Sequence, residues 1–367
     1  MPKTELKINL GPKYFQTQGL IKLVADCDAE KIKNLDVVIG YSHKGMEKIA
    51  EKLIYMQYLP LTVKISPLSG FAYQEAFCFG VEKLANIEVP EKAQYIRVLL
   101  MELERISSHL FCLGNILSVL GNLLPFNFCI EQQNLILNIF EKITGQRFSN
   151  NYYVFGGVKN DISNEILDEI LLVVKYIFQQ IETLKNFSVN NPLFVSRTKN
   201  IGIIHKDVAL NFSITGVNLR ASGVNADFRK KQPYLIYDKL DFEIPVEKNG
   251  DAYSRCVLRI NEIEQSVKIV EQCVDKIKNT NSVVSCGCNQ IEIITQEDTV
   301  NSYVESTNGL VVCTIFSDGT NKLQRVKWRV PSFYSIRLLP FILKNKYITD
   351  VSTIFGSLDI NVSEADR

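Results

Sequence analysis

The chain has 367 residues, 46% of them apolar, so it can bury one large core or two ordinary ones. Its 41 basic and 40 acidic residues leave a net charge of +1, which gives no support for nucleic-acid binding by global charge. Apolar runs such as ILDEILLVVKYIF are cut by charges, so no transmembrane helix is expected, and MPKTELKINL lacks the apolar run of a signal peptide.

Residues 6–40 read as strands: LKINL, GLIKLVADCD and NLDVVIGY alternate β-branched and polar residues between Gly-Pro and Asp-rich breaks, predicting a small antiparallel sheet. His43 and Lys44 follow in a loop that gives way to a helix near Gly45. Leu59-Pro60 and Ser66-Pro67 break the pattern, and a helix resumes over 68–86.

Residues 90–120 form the longest periodic stretch. Ile96, Leu99, Leu100, Leu103, Ile106, Leu110 and Leu113 recur at helical spacing. About 30 residues at ~1.5 Å each span roughly 45 Å. Arg97, Glu102, Glu104, Arg105 and His109 interrupt this apolar helix, and Glu102, Arg105 and His109 share a face. Buried charges must be paired. Arg105 and His109 are therefore expected to face the bundle interior or a partner, with a carboxylate or carbonyl beside the arginine.

Leu123-Leu124-Pro125-Phe126 reads as a turn, 130–144 as a helix closed by Gly145, and 164–186 as one long amphipathic helix. Residues 189–255 turn irregular and polar. Their second part, Gly216–Arg255, sets Arg220, Arg229, Lys230 and Lys231 among acidic residues and tyrosines, which fits a polar interface with aromatic anchors. A helix over 257–277 precedes short strands and a last helix over 332–344. The expected organisation is α+β: an N-terminal β-rich lobe (1–65), a central helical bundle (66–280) and a mixed C-terminal lobe (281–367) sharing one structural unit.

Nine scattered cysteines without a secretory signal read as free thiols. The close pair, Cys286-Gly-Cys288, lacks a second pair or a following histidine, and with three histidines in all no metal site is expected. There is no phosphate-binding glycine loop and no serine-hydrolase elbow, so the residues alone name no reaction.

Several segments together carry a resemblance: Gly11-Pro12, IGYSHKGMEKIAE (39–51), VPEKAQYIRVLLMELERISSHL (89–110), GVNLRASGVNADFRKKQPYLIYDKLDFEIPVEKNGDAYSR (216–255), FSDGT (316–320), RVPSF (329–333), GSLDI and the terminal Asp366-Arg367. Nearly end to end, the chain resembles the 49-kDa (D-type) component of respiratory complex I, the NADH:quinone oxidoreductase, and its plastid H-type counterpart. The resemblance implies the fold of the nickel–iron hydrogenase large subunit. It also implies a place at the foot of the peripheral arm, on the cytoplasmic side of a bacterial inner membrane or the matrix side of the mitochondrial one. Implied partners are the small subunit carrying the terminal [4Fe–4S] cluster, the 30-kDa-type subunit and the membrane-arm subunit at the quinone entrance. Quinone is the implied substrate, and activity belongs to the assembly rather than to the isolated chain. No Cys-x-x-Cys is present, so the nickel ligands of a true hydrogenase are missing.

At the family's quinone pocket this chain departs from the pattern. The headgroup histidine aligns to Gln18, the quinone-binding tyrosine to Pro67, and the aspartate partnering the histidine to Val119. Glutamine donates a hydrogen bond but cannot titrate; proline and valine do neither. Tyr14, Tyr41, His43 and Tyr73 are nearby groups that could substitute. The loop histidine that faces the cluster subunit is kept as His43, with Lys44 where the family has arginine, and Arg105, His109, Arg220 and Arg229 are read as partner-contacting or structural. The alternatives are a working quinone-reducing subunit and a scaffold subunit whose quinone site is altered or inactive.

Overall fold

The computed structural model describes residues 5–13, 19–288, 290 and 292–367. Strands β1 (Glu5–Leu10), β2 (Lys22–Asp28) and β3 (Lys31–Val38) form an antiparallel sheet in that order. In β2, Leu23, Ala25 and Cys27 alternate with half-exposed residues, so one face of the sheet is buried. Helices α1 (Met46–Ala50) and α2 (Tyr55–Thr62) follow. Pro60 lies inside α2 and does not break it: Tyr55, Tyr58 and Leu59 pack into the core and hold the short helix despite the missing amide.

Helix α3 (Gly70–Leu84) is buried on nearly every side. A Cβ added to Gly80 would come within 2.7 Å of Ile315 Cδ1, so the helix backbone lies close on the C-terminal sheet. Helix α4 (Glu91–Val119) runs through the centre and packs on α5 (Leu123–Thr144). The turn between them is confined to residues 120–122; Leu123–Phe126, which reads as a turn in sequence, is the first turn of α5, where Pro125 costs no needed hydrogen bond.

A two-stranded hairpin, β4 (Tyr153–Val154) and β5 (Gly157–Val158), precedes α6 (Asn164–Gln179) and α7 (Ile181–Phe187). The single helix expected over 164–186 is thus divided at Gln180. The polar region contains more helix than its sequence shows: α8 (Pro192–Thr198), α9 (Lys206–Asn211), α10 (Val217–Arg220), α11 (Phe228–Lys231) and a 3-10 turn, Tyr237–Lys239. Asp251 caps the second long helix, α12 (Ala252–Asn279), by accepting from Ser254 N.

Strands β6 (Thr299–Glu305), β7 (Leu310–Phe316) and β8 (Arg325–Arg329) make an antiparallel meander. The chain closes with α13 (Pro331–Leu343), α14 (Asp350–Leu358) and α15 (Val362–Ala365).

Two large apolar clusters and a small one of Val217, Ala221 and Leu258 organise the described residues. The larger joins α2 to α6 with α12 and the inner face of the β6–β8 sheet. The smaller seats Ile21, Leu23, Ala25 and Ile32 of the N-terminal sheet on Leu338, Leu339, Ile354 and Leu358 of α13 and α14. Among the described residues no helix is long and apolar enough to cross a membrane.

Candidate functional site

Arg97, Glu102, Arg105 and His109 of α4 are buried and paired inside the chain. Arg97 binds Glu75 at 3.2 Å and Glu82 at 2.6 Å, and also donates to the Val154 and Gly157 carbonyls of the β4–β5 hairpin. Two turns on, Arg105 donates to the carbonyls of Glu305 (2.8 Å) and Ser306 (3.0 Å) and lies 3.3 Å from Glu102. Glu102 also accepts from Arg229 (3.0 Å), Tyr237 (2.7 Å) and Ser266 (2.7 Å). From Arg229 the network passes to Asp227 at 2.7 Å, then to Arg220, which binds Glu305 at 2.9 Å and Glu262 at 2.7 Å. Glu262 in turn meets His109 Nε2 at 2.9 Å. The network ties α4, α10, α11, α12 and β6 together through groups that have almost no contact with water.

Here the guanidiniums of Arg105, Arg220 and Arg229 face the carboxylates of Glu102, Asp227, Glu262 and Glu305. Burial alone would raise every carboxyl. At Asp227 the Arg229 and Arg220 guanidiniums outweigh it and hold the group far below the usual carboxylate range; at Glu262 Arg220 and His109 do the same. Glu305 goes the other way, raised by burial and by the Asp227 charge. Burial lowers His109 and keeps it neutral. Since Glu262 can only accept, His109 carries its proton on Nε2, and Nδ1 is left buried without a partner. Glu104 stands apart: burial pushes it up to about 8 although it accepts from Phe71 N at 3.2 Å, and its second oxygen has no partner.

A second polar assembly gathers around α15. The Asp366 carboxylate accepts from the backbone of Gly40 (2.7 Å) and Ser42 (2.8 Å), and its carbonyl accepts from His43 Nδ1 at 2.8 Å. A carbonyl only accepts, so Nδ1 carries a proton, and the ring is exposed. Lys44 Nζ donates to Ser363 Oγ and to the Lys64 carbonyl, each at 2.7 Å. Asn361 donates to Ser66 Oγ at 2.9 Å, and a Cβ on Gly19 would lie 2.8 Å from Val362 Cβ. Residue 19, the 40–44 loop and the 64–67 turn thus meet on one short helix. Beside it, a cleft of about 380 Å³ is lined by Lys327, Trp328, Arg329, Phe333, Tyr334 and Arg367.

The residues singled out in sequence fall into three groups. Arg105 and His109 are buried in the bundle, the arginine beside the carboxylate and carbonyls its charge requires. Arg220 and Arg229, in the stretch read as a polar interface, turn inward and spend their donors on the chain's own carboxylates; an arginine with acidic neighbours in its own fold has no need of a partner's. At the quinone-pocket positions, Gln18 and the substitute Tyr14 lie outside the described residues. Pro67 is exposed in the turn beside α15, and Val119 is half-buried at the end of α4, the helix that meets α14 through Cys112 and Ile116. Tyr73 is not free to substitute, because it is fully buried and donates to Glu364 at 2.9 Å, whereas Tyr41 is 46% exposed.

Sequence reasoning missed Asp227, Glu262, Glu305 and Glu364 as partners. Asp227 stands two residues from Arg229, but no short-range pattern marks Glu262 and Glu305, which reach Arg220 from 42 and 85 positions away. Among the described residues no group of three or more His, Cys, Asp or Glu is arranged to hold a metal ion.

A family model described as the respiratory-chain NADH dehydrogenase 49-kDa subunit matches residues 120–302 and 289–367. The D-type subunit of the NADH-quinone oxidoreductase of Bacillus cereus (strain ATCC 10987) is 40% identical over 362 residues, covering 99% of this chain and 98% of that protein. This chain belongs to the 49-kDa subunit family of NADH-quinone oxidoreductase. The corresponding subunit of Bacillus anthracis matches to the same extent, and that of Bacillus mycoides (strain KBAB4) is 38% identical over the same span. Membership gives the loop-to-terminus clasp a context: the segments it joins, IGYSHKG and the terminal Asp366-Arg367, are among those that carry the family resemblance.

Proposed function

We propose that this chain is the core peripheral-arm subunit of a proton-translocating NADH–quinone oxidoreductase, forming the quinone-reduction chamber with a cluster-bearing small subunit. The observation that carries this reading is the match over 99% of the chain to the 49-kDa-type subunits of NADH-quinone oxidoreductases. In the proposed assembly the chain adopts the hydrogenase large-subunit fold, its three lobes (1–65, 66–280 and 281–367) acting as one unit. It binds quinone as substrate, holds no metal, and sits peripherally on the cytoplasmic or matrix side of the membrane. Its neighbours are the [4Fe–4S] small subunit, the 30-kDa-type subunit and the membrane-arm subunit at the quinone entrance.

The α15 assembly supports a cluster-facing role for His43, since the loop is fixed by Asp366 and the ring is exposed. The nearby cleft carrying Lys327, Arg329 and Arg367 suits an electron-rich or acidic partner surface. Lys44 acts chiefly as an internal tie in this reading, because its ammonium is already bonded to Lys64 and Ser363.

Quinone reduction needs two electrons and two protons, with polar groups at the carbonyl oxygens. At the family's pocket positions Gln18 supplies a non-titrating donor, and Pro67 and Val119 supply none. The loss of these groups favours a second reading, a scaffold subunit with an altered or inactive quinone site. The decisive experiment deletes and restores this chain in its own membranes. Restored NADH:quinone reductase activity supports a working subunit. An assembled complex that oxidises NADH with an artificial acceptor but not with quinone supports the scaffold. Failure of the complex to depend on the chain rejects both.

A further inference from the structure

The segment after α12 is stitched along the β4–β5 hairpin. Val158 N donates to Val284 O and Cys286 N to Gly156 O, each at 2.9 Å, and Gln290 bonds Phe155 at both backbone groups. Within this seam stand two thiols one residue apart. Cys286 is exposed; Cys288 is half-buried, 3.1 Å from the Phe155 carbonyl and 3.0 Å from Gln290 Nε2. Between them, Gly287 has a positive φ of 70° and no atom outside its two neighbours within 4 Å of where a side chain would go. A Cβ on Gly156 would lie 2.1 Å from Cys286 Sγ, and Cys288 Sγ is 3.1 Å from the adjoining Phe155 carbonyl, so both sulfurs stand against the same peptide. The other seven cysteines are buried.

We propose that Cys286 and Cys288 are a reversible dithiol switch: a hydroperoxide converts them to an intramolecular disulfide, and this loosens the β4–β5 hairpin. Cys286, the accessible thiol, reacts first with hydrogen peroxide: its sulfur takes one oxygen as the O–O bond breaks, its proton leaves with the other as water, and a sulfenic acid remains. The Cys288 sulfur then attacks the Cys286 sulfur and displaces a second water. Two thiols and one peroxide give one disulfide and two waters; the sulfurs lose two electrons and the peroxide gains them. A disulfide takes from Cys288 the hydrogen it gives Phe155 O, and draws the seam away from the hairpin. That hairpin supplies the Val154 and Gly157 carbonyls to Arg97 and the Gly156 amide to Glu82, so the switch is coupled to the buried Arg97–Glu75–Glu82 cluster.

The test treats the assembled complex with hydrogen peroxide, then denatures it, alkylates the remaining thiols and maps them by mass spectrometry. The expected product is a peptide in which Cys286 and Cys288 together have lost two hydrogens, restored by dithiothreitol and prevented by prior phenylarsine oxide, a probe of paired thiols. Deuterium uptake by the amides of residues 153–158 should rise about tenfold in the oxidised complex. In C286S the disulfide and the faster uptake should both vanish; in C288S Cys286 should stop at sulfenic or higher acids with uptake unchanged. The switch is overturned if Cys286 over-oxidises in the native chain without engaging Cys288, or if both stay reduced at a peroxide dose that oxidises an exposed reference thiol. A disulfide that forms with no change in uptake refutes the coupling to the hairpin.

Discussion

His109 Nε2 sits 2.9 Å from Glu262 Oε2, while the other oxygen of that carboxylate takes two hydrogen bonds from Arg220. One buried carboxylate therefore holds a neutral imidazole on α4 and a guanidinium on α10. Glu262→Ala should cost about 1–3 kcal/mol of stability, because it leaves His109 Nε2 and the Arg220 Nε buried without an acceptor while Glu305 and Asp227 still hold the guanidinium, and Glu262→Gln should cost less, keeping one acceptor. Denaturant unfolding of the purified chain measures both; equal losses would show that packing rather than charge pairing dominates there.

Glu104 gives a pH signature of opposite sign to an ordinary salt bridge. Its folded-state value, pushed up to about 8 by burial, lies above the ~4.3 of an unfolded glutamate. The folded protein keeps the proton where the unfolded chain has lost it, so the contribution is complete below pH ~4.3 and falls away as pH rises towards 8. Glu104→Gln should remove this slope. Its stability relative to the parent should increase by up to about 1.4 kcal/mol per pH unit between roughly pH 4.3 and 8, as read from melts across that range.

At Gly216 the backbone has φ of 70°, and an added Cβ would lie 2.5 Å from Gly309 Cα and 2.6 Å from Asn308 O. Both obstacles are backbone and cannot swing aside. Gly216→Ala should destabilise the chain by more than about 1 kcal/mol, visible as a lowered Tm. The same change at Gly121, where nothing lies within 4 Å, should cost only the strain of its positive φ.

Lys44 tests the α15 assembly. Lys44→Ala removes bonds to Ser363 and Lys64, and should loosen the 64–67 turn and α15, read as faster amide exchange there. In the assembled complex the midpoint potential of the neighbouring cluster should shift if His43 and Lys44 face it. An unchanged potential alongside faster exchange would make Lys44 an internal tie alone.

The quinone-pocket reading predicts the behaviour of reversions. Restoring Gln18→His, Pro67→Tyr and Val119→Asp together should raise quinone turnover. The single changes should do less, because the histidine and aspartate act as a pair. Each regained hydrogen bond to a quinone oxygen is worth ~0.5–1.5 kcal/mol, about two- to tenfold in binding. Parental turnover that already matches ordinary relatives would mean that other groups supply the protons.

What the sequence discloses follows the range of the interaction. The extent of α4 is legible because its apolar spacing is local, and its Arg105 and His109 are legible as buried because charges do not interrupt such a helix idly. Their partners are not legible: Arg105 bonds carbonyls 200 and 201 positions away. The inward turn of Arg220 and Arg229 escapes for the same reason, since a loop rich in arginine and aspartate has one composition whether it pairs with itself or with a neighbour. Pro60 and Pro125 mislead differently. A proline's local preference predicts a break, but core packing decides at Pro60 and position in the first turn decides at Pro125.

The smaller apolar cluster bears on how this chain is made. Ile21, Leu23, Ala25 and Ile32 share their cluster with Ile204, Ala209, Ile214 and Leu219 and, for its larger part, with residues 336–365, about 300 positions later. At a synthesis rate of ~5–20 residues per second, that is a delay of roughly 15–60 seconds. Throughout it the nascent N-terminal sheet exposes an apolar face, a natural client for a holding chaperone on the ribosome, and a ribosome stalled before α13 would release a chain prone to aggregate through that sheet.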